Sequence, residues 1–478
     1  MKALVVTLLI AALHGTVTYG KHLKILNHQI LNAAEIESLR AIDLSNRELK
    51  ASKTSIVAYN KTQMGVEDAA KEAERIEGKC TELGSPCHVT NLKNLGVFEV
   101  EYESSNHPAV DALELDPNKE TGVEDMVIHI FDTVPPTDPY YSYQWAYDDS
   151  SADINIEEGW TEYLSDSIGG DPDGPSVIVA IIDTGIDYTH PDLVNMMWTN
   201  PGEIADNGID DDGNGIIDDY YGADFTEDTS GTGDPIDVNS HGSHCAGIVA
   251  AEENNGEGIA GVASFSQGKV KLMAVKGLSD SGSGTTSGLL AGLNYAISMG
   301  ARISSNSWGS GATDTAEYYE SVWDQVLQNN PDHLFVAAAG NDATEINDDL
   351  RPMACGLVEP NLMCVASSQS DGTMSSFSNY GENYIHVFAP GTSIASTIPD
   401  GSYAYKSGTS MATPMVSGLA ALVMTMREDL TGAEVRAVIE ANVETSDDFD
   451  GLVSTGGQID VGATILALKE DSGKQNHV

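Results

Sequence analysis

From Glu120 through Gly268 the chain contains no lysine or arginine. Over all 478 residues, 23 basic side chains face 73 acidic ones, a formal net charge of −50. A surface of that sign repels polyanions, so no nucleic-acid partner is expected. Beyond the first twenty residues no apolar stretch of 18 residues stands out, and no membrane partner is expected either. Repeats and large low-complexity tracts are also missing. Cysteine is scarce: the five present allow at most two pairs and leave one thiol over.

Met1–Gly20 carries Lys2, an apolar run from Ala3 to Leu13, and then Thr18-Tyr19-Gly20. That is the pattern of a secretory signal peptide cut after Gly20, which predicts a secreted, extracellular product. In an oxidising compartment the simplest pairs are Cys80 with Cys87 and Cys355 with Cys364, leaving Cys245 free; sequence alone leaves that connectivity open. The charge then divides the chain. Residues 1–119 hold 13 Lys+Arg against 16 Asp+Glu, a net of −3, and residues 120–478 hold 10 against 57, a net of −47. The first part reads as a helix near Val66–Ile76 and a strand near Val97–Tyr102, with a possible glycosylation site at Asn60-Lys61-Thr62. The proline-rich stretch Thr133–Pro139 reads as an exposed linker, with a junction between Ile130 and Tyr140.

Past the junction, an apolar, β-branched run from Ser176 to Ile182 ends in Asp183-Thr184-Gly185. It reads as a buried parallel strand with a carboxylate at its carboxyl end, where open α/β sheets place their sites. His241-Gly242-Ser243-His244-Cys245-Ala246-Gly247 opens a helix of small residues. Gly408-Thr409-Ser410-Met411-Ala412 leads into a long apolar helix, which sets a hydroxyl at a helix N-terminus. A lone serine there is most simply an N-cap. With a carboxylate to orient an imidazole, and the imidazole to take the serine proton, it becomes a nucleophile. Strands are expected at Lys269–Val275, Ala301–Ser305, Leu334–Ala338 and Leu362–Val365, with a helix at Ser287–Met299. The alternation predicts an α/β fold with a mostly parallel sheet and helices on both faces.

Together with Ala337-Ala338-Ala339-Gly340-Asn341, these blocks resemble subtilisin-like serine proteases (subtilases) from about Asp138 to about residue 465. The resemblance implies a serine endopeptidase with Asp183, His241 and Ser410 as its triad and Asn341 in the oxyanion hole. It implies substrate-binding walls at Ser307, Trp308, Gly309, Ala338, Ala339 and Gly340, protein or peptide substrates, and no catalytic cofactor. It also implies a preproenzyme: signal 1–20, a small α+β propeptide at 21–135 that inhibits its own enzyme, a catalytic domain at 136–470 and a polar tail at 471–478, acting as a monomer. If the enzyme frees its own propeptide, the basic-free stretch means that the residue before the cut is not Lys or Arg. The alternative is an inactive, calcium-binding module of the same fold.

The acidic excess suggests structural Ca2+. Asp210, Asp212 and Asn214 alternate, Gly215 permits a sharp turn and Asp218 follows, as in the first nine positions of an EF-hand loop. The twelfth position is Tyr221 where an EF-hand has Glu, so the loop is not a complete EF-hand. A second site is implied by resemblance alone: Asp192 and Asn255, carbonyls of Glu253, Glu257 and Ile259, and Asp138 from the mature N-terminus.

Overall fold

The computed structural model describes residues 53–59, 88–92, 97–102, 119–124, 135–147, 152–165, 176–310 and 317–475. The expectations for the signal segment, the helix near Val66–Ile76, Asn60–Thr62 and the Cys80–Cys87 pair fall outside them. The chain divides into two compact units, 1–130 and 131–478. In the first, β1 (Lys53–Tyr59), β2 (His88–Leu92), β3 (Val97–Tyr102) and β4 (Lys119–Glu124) form an antiparallel sheet in the order β2-β3-β1-β4.

The second unit opens with α1 (Ile156–Ser165), β5 (Val177–Asp183), β6 (Gly222–Asp224), α2 (His241–Ala250), β7 (Val270–Lys276) and α3 (Thr286–Ser298). It continues through β8 (Ile303–Asn306), α4 (Glu317–Asn329), β9 (Leu334–Ala338), β10 (Leu362–Ser368) and β11 (Val387–Pro390). The hairpin β12 (Ile394–Ile398) and β13 (Ser402–Lys406) precedes α5 (Thr409–Met426), α6 (Gly432–Glu440), β14 (Glu444–Thr445), β15 (Gly457–Gln458) and α7 (Val461–Gln475). The large sheet runs β14-β15-β11-β10-β9-β8-β5-β7-β6, and every pairing in it except β14 with β15 is parallel.

The strands are apolar on both faces because both faces are covered. Val179 and Ile181 join a core with α2 and α5, whereas Ala180 and Ile182 join a second core with α3 and α4. Helix α5 is long and apolar enough to cross a membrane, at a mean hydropathy of 1.3, yet 89% of it is buried inside the unit. It is therefore the central core helix, a spanning-length run that the sequence reading passed over. Helix α7 runs to Gln475, five residues into the segment expected to be a polar tail. Its inner face (Val461, Ile465, Leu468) is buried, and Lys469 pairs with Glu162 of α1, so the helix carries on past its apolar part.

Candidate active site

Asp183 ends β5, an interior strand between β8 and β7, and is fully buried. Backbone N–H groups of Gly277 and Leu278 both donate to its carbonyl, and the Thr184 N–H donates to its Oδ1 at 2.7 Å. Helix α2 begins at His241, straight after Ser240 in the left-handed region (φ 88°). The helix start lies close against the strand end: a Cβ on Gly242 would stand 2.1 Å from the Gly185 carbonyl oxygen, so only glycine fits there. That approach sets His241 Nδ1 at 2.8 Å from Asp183 Oδ1. The negative charge of Asp183 holds the imidazole well above its ordinary value, against the opposing effect of burial, and Cys245 adds to the rise. His244, one turn on, behaves oppositely. It is buried with Nε2 on the Ala404 carbonyl, and burial pushes it down to about 3. Of the two histidines in this motif, only His241 has a carboxylate partner.

Helix α5 starts at Thr409, with Gly408 rather than a serine at the N-cap. Ser410 is thus the second helical residue, and its hydroxyl is not used to cap the helix. The Ser410 hydroxyl donates to the Ser307 carbonyl at 3.2 Å, and the Ser307 hydroxyl donates back to the Ser410 carbonyl at 2.9 Å. Cys245, free and buried, stands between the groups: its sulfur lies 3.4 Å from the Ser410 carbonyl and 4.0 Å from His241 Nδ1. Asn341, just past β9, accepts through Oδ1 from the Thr409 N–H (2.9 Å) and the Thr409 hydroxyl (3.1 Å). That fixes which amide atom is free to donate. A Cβ on Gly408 would lie 3.5 Å from Asn341 Nδ2 and 3.6 Å from the Ser410 nitrogen, so two N–H donors flank the same small residue.

A cleft of about 970 Å³ opens beside His241. Ser307, Trp308 and Gly309 line it, with Leu278 and Met353 among the apolar walls. The Trp308 indole donates to the Ile182 carbonyl and packs on Trp323 and Phe335, so most of its ring belongs to the core. Met353 was not foreseen. Its carbonyl accepts from Ser310 N at 2.9 Å, and its N–H donates to the Ser310 hydroxyl at 3.0 Å, so its loop holds the far end of the wall. Ala338, Ala339 and Gly340 lead from β9 toward Asn341, and Gly340 N donates to the Thr409 hydroxyl. Cys355, two residues beyond Met353, is bonded to Cys364. This is the expected local pair.

The profile of the subtilase family matches residues 174–458, more than half of the chain. The chain belongs to the subtilase family. Subtilases are serine proteases, and this member is similar to the thermophilic serine proteinase of Bacillus sp. (strain AK1), 31% identical over 418 residues and 87% of each chain. It is 33% identical over 318 residues to thermitase of Thermoactinomyces vulgaris, covering 66% of this chain and 93% of thermitase. Against subtilisin-like protease 1 of Plasmodium berghei it is 31% identical over 345 residues, 68% of this chain and 53% of that protein, and so spans about half of that relative's length. Among solved structures it resembles the proteases from Pseudoalteromonas arctica PAMC 21717, with a TM-score of 0.51 and 28% identity over 70% of this chain and 99% of that one.

In this subtilase the acidic loop is arranged differently from an EF-hand. Asp210 accepts from the Gly213 and Gly215 N–H groups, and Asp218 from those of Asn207 and Gly208. These two carboxylates shape the loop. Asp212 instead converges with Glu203 and Asp219, with one oxygen from each lying within 4.8 Å of the others. Asn214 joins the group through its amide, which donates to Asp212 and Asp219. Glu203 Oε2 is buried without a partner. Three carboxylates around an orphaned oxygen suit a hard cation with oxygen ligands. Glu203 lies outside the spaced motif, and nothing in the sequence distinguishes Asp219 from Asp218.

In the second region Asp192 and the 254–259 loop come together, while the Ile259 backbone meets Asp192 through its N–H. Asp192 is fully buried and accepts from the Asn255 amide at 2.8 Å and the Ile259 N–H at 2.9 Å. Asp138 accepts from Asn254 N at 2.8 Å, and its other oxygen is buried and unpartnered. Burial raises both carboxyl groups, and pushes Glu253 up to about 7. Tyr140 N donates to the Gly258 carbonyl, tying the segment after the linker to this loop.

Proposed function

We propose that this chain is a secreted serine endopeptidase, made as a zymogen that frees itself from residues 21–135 by cutting after a non-basic residue. The observation that carries the reading is the 2.8 Å pair between His241 and the buried strand-end Asp183, next to a Ser410 whose hydroxyl is not spent on capping its helix. In the reaction Ser410 attacks the substrate carbonyl as His241 takes its proton. The Ser410 N–H and Asn341 Nδ2 hold the oxyanion. His241 then returns a proton to the leaving amine, and water releases the acyl group by the same steps in reverse order of partners. Asp183 keeps the imidazole in one tautomer and stabilises its charged form. Ser307, Trp308 and Gly309 offer the substrate backbone an edge, with Ala338, Ala339 and Gly340 as the opposite wall.

Calcium fits both acidic regions. Glu203, Asp212 and Asp219 would hold one ion, with the Asn214 amide bridging two of them and Asp210 and Asp218 shaping the loop. Asp192, Asn255 and Asp138 would hold another, with carbonyls of Glu253, Glu257 and Ile259. The ions would supply cross-links between loops and no chemistry at the scissile bond. Secretion is supported by the signal-like leader and by the name of a relative, the extracellular protease of Xanthomonas campestris.

Fluorophosphonate labelling of the processed protein tests the reading. Wild type should take one label, and Ser410→Ala and His241→Ala, which should also keep residues 21–135, should take none. An unlabelled wild type would favour the inactive calcium-binding module instead. Mass spectrometry of the mature N-terminus gives the residue before the cut; Lys or Arg there would contradict self-processing as described.

A further inference from the structure

The first turn of α2 is held in place by two side chains from outside the helix. Asp237 is 1% exposed and accepts five hydrogen bonds. Its Oδ1 takes the Thr184 hydroxyl (2.9 Å) and the N–H groups of Asn239 (2.8 Å) and Ser240 (3.1 Å). Its Oδ2 takes the Ser243 N–H (2.9 Å) and hydroxyl (2.7 Å). The Thr184 hydroxyl accepts in turn from the Gly242 N–H at 2.9 Å. Helix N-termini leave such N–H groups without intrahelical partners. Here those of Gly242 and Ser243 go to Thr184 and Asp237, while the N-cap residue Ser240 makes no side-chain cap.

Thr184 directly follows Asp183, and Gly242 directly follows His241. The Thr184–Gly242 bond therefore joins the residue after the acid to the residue after the base. We propose that Asp237 is a positioning residue for the Asp183–His241 pair, acting through Thr184 and the first turn of α2. The proposal rests on the protease reading above. Both oxygens of Asp237 accept, so an amide cannot replace the carboxylate. Asn at this position presents an –NH2 either to Ser243 or to Thr184, Asn239 and Ser240, all of which are donors. The helix start is then free to shift, and the 2.8 Å contact lengthens.

The test uses full-length enzyme, self-processed, in three variants: Asp237→Asn, Thr184→Val and Thr184→Ser. Asp237→Asn and Thr184→Val should lower kcat at least tenfold on a peptide substrate while KM changes less than twofold. The acid limb of kcat/KM should move to lower pH in both, because His241 loses part of the Asp183 field that raises it; its other titratable neighbours are Cys245 and His244, and Lys406 reaches Ser240. Thr184→Ser keeps the hydroxyl and should restore both. A lower melting temperature with an unmoved limb and kcat within twofold of wild type would overturn the proposal. If Asp237→Asn does not fold, Thr184→Val against Thr184→Ser decides it alone. The His241 ring titration, followed by NMR in the unprocessed Ser410→Ala chain with and without Asp237→Asn, reads the same shift without turnover. It keeps this proposal separable from the protease reading: an unlabelled wild type sinks that reading, and an unmoved ring titration sinks this one.

Discussion

Asn341 and His241 are the residues whose roles can be weighed one at a time. Asn341 Oδ1 is committed to Thr409, which leaves Nδ2 as the donor. Asn341→Ala should lower kcat by about 10²–10³, the loss known for this kind of oxyanion donor in subtilisin itself, with the fold intact by circular dichroism. A loss under tenfold would remove Asn341 from the reaction. His241 must be neutral to accept a proton, and Asp183 holds it protonated beyond the ordinary imidazole range. Activity should therefore fall on the acid side at a pH above 6.5, as read from kcat/KM across pH. Stability runs the other way. A raised imidazole contributes most below its unfolded value and loses that contribution as pH rises through the folded one. The four residues proposed for the triad and oxyanion hole stand out in the sequence because each sits in a short motif with a structural context. Asp237 and Thr184 were not, because a side chain that accepts five bonds looks in sequence like any loop aspartate.

At the scale of elements, hydrophobic period located the sheet well. β9 spans Leu334–Ala338 as read, and β3 spans Val97–Tyr102. β10 runs three residues further than expected, because Ala366, Ser367 and Ser368 pair with β11, a partner the sequence reading did not include. The acidic loop shows where spacing misleads. The spacing matched the first nine positions of an EF-hand and pointed to Asp210, Asp212, Asn214 and Asp218, yet the carboxylates that converge are Glu203, Asp212 and Asp219. Glu203→Gln keeps the hydrogen-bonding shape and removes one of the charges. It should lower the melting temperature in calcium and narrow the gap between calcium and chelator. In wild type, a free ion at 100 times its Kd would stabilise by about 2.7 kcal/mol. Differential scanning calorimetry with and without chelator reads both effects. Identical melting curves for wild type with and without chelator would remove the ion from this loop.

The whole molecule is dominated by its charge. Among the described residues that line the cleft, His241 is the one that titrates, while residues 120–478 have a net of −47. The body, rather than the cleft, should therefore select substrates by charge through long-range steering. Two peptides sharing one cleavage site, one with cationic and one with anionic flanks, should differ in kcat/KM at low salt. The ratio should approach one near 1 M salt, where the screening length is about 3 Å. A ratio independent of salt would place the selectivity inside the cleft. Charge totals were fully legible in the sequence, whereas the scarcity of carboxylates among the described cleft residues required the fold.

Helix α5 has one more consequence. The serine proposed as nucleophile rides on a helix buried along most of its length, in contact with β5, β8, β9, β10 and β11. The amides in the middle of so buried a helix should exchange with solvent mainly when the unit opens as a whole, which hydrogen exchange would read. A protease also digests its own opened copies, so the same global opening that ends catalysis exposes the chain to its neighbours. Its working lifetime in a concentrated solution is then governed by that single opening equilibrium.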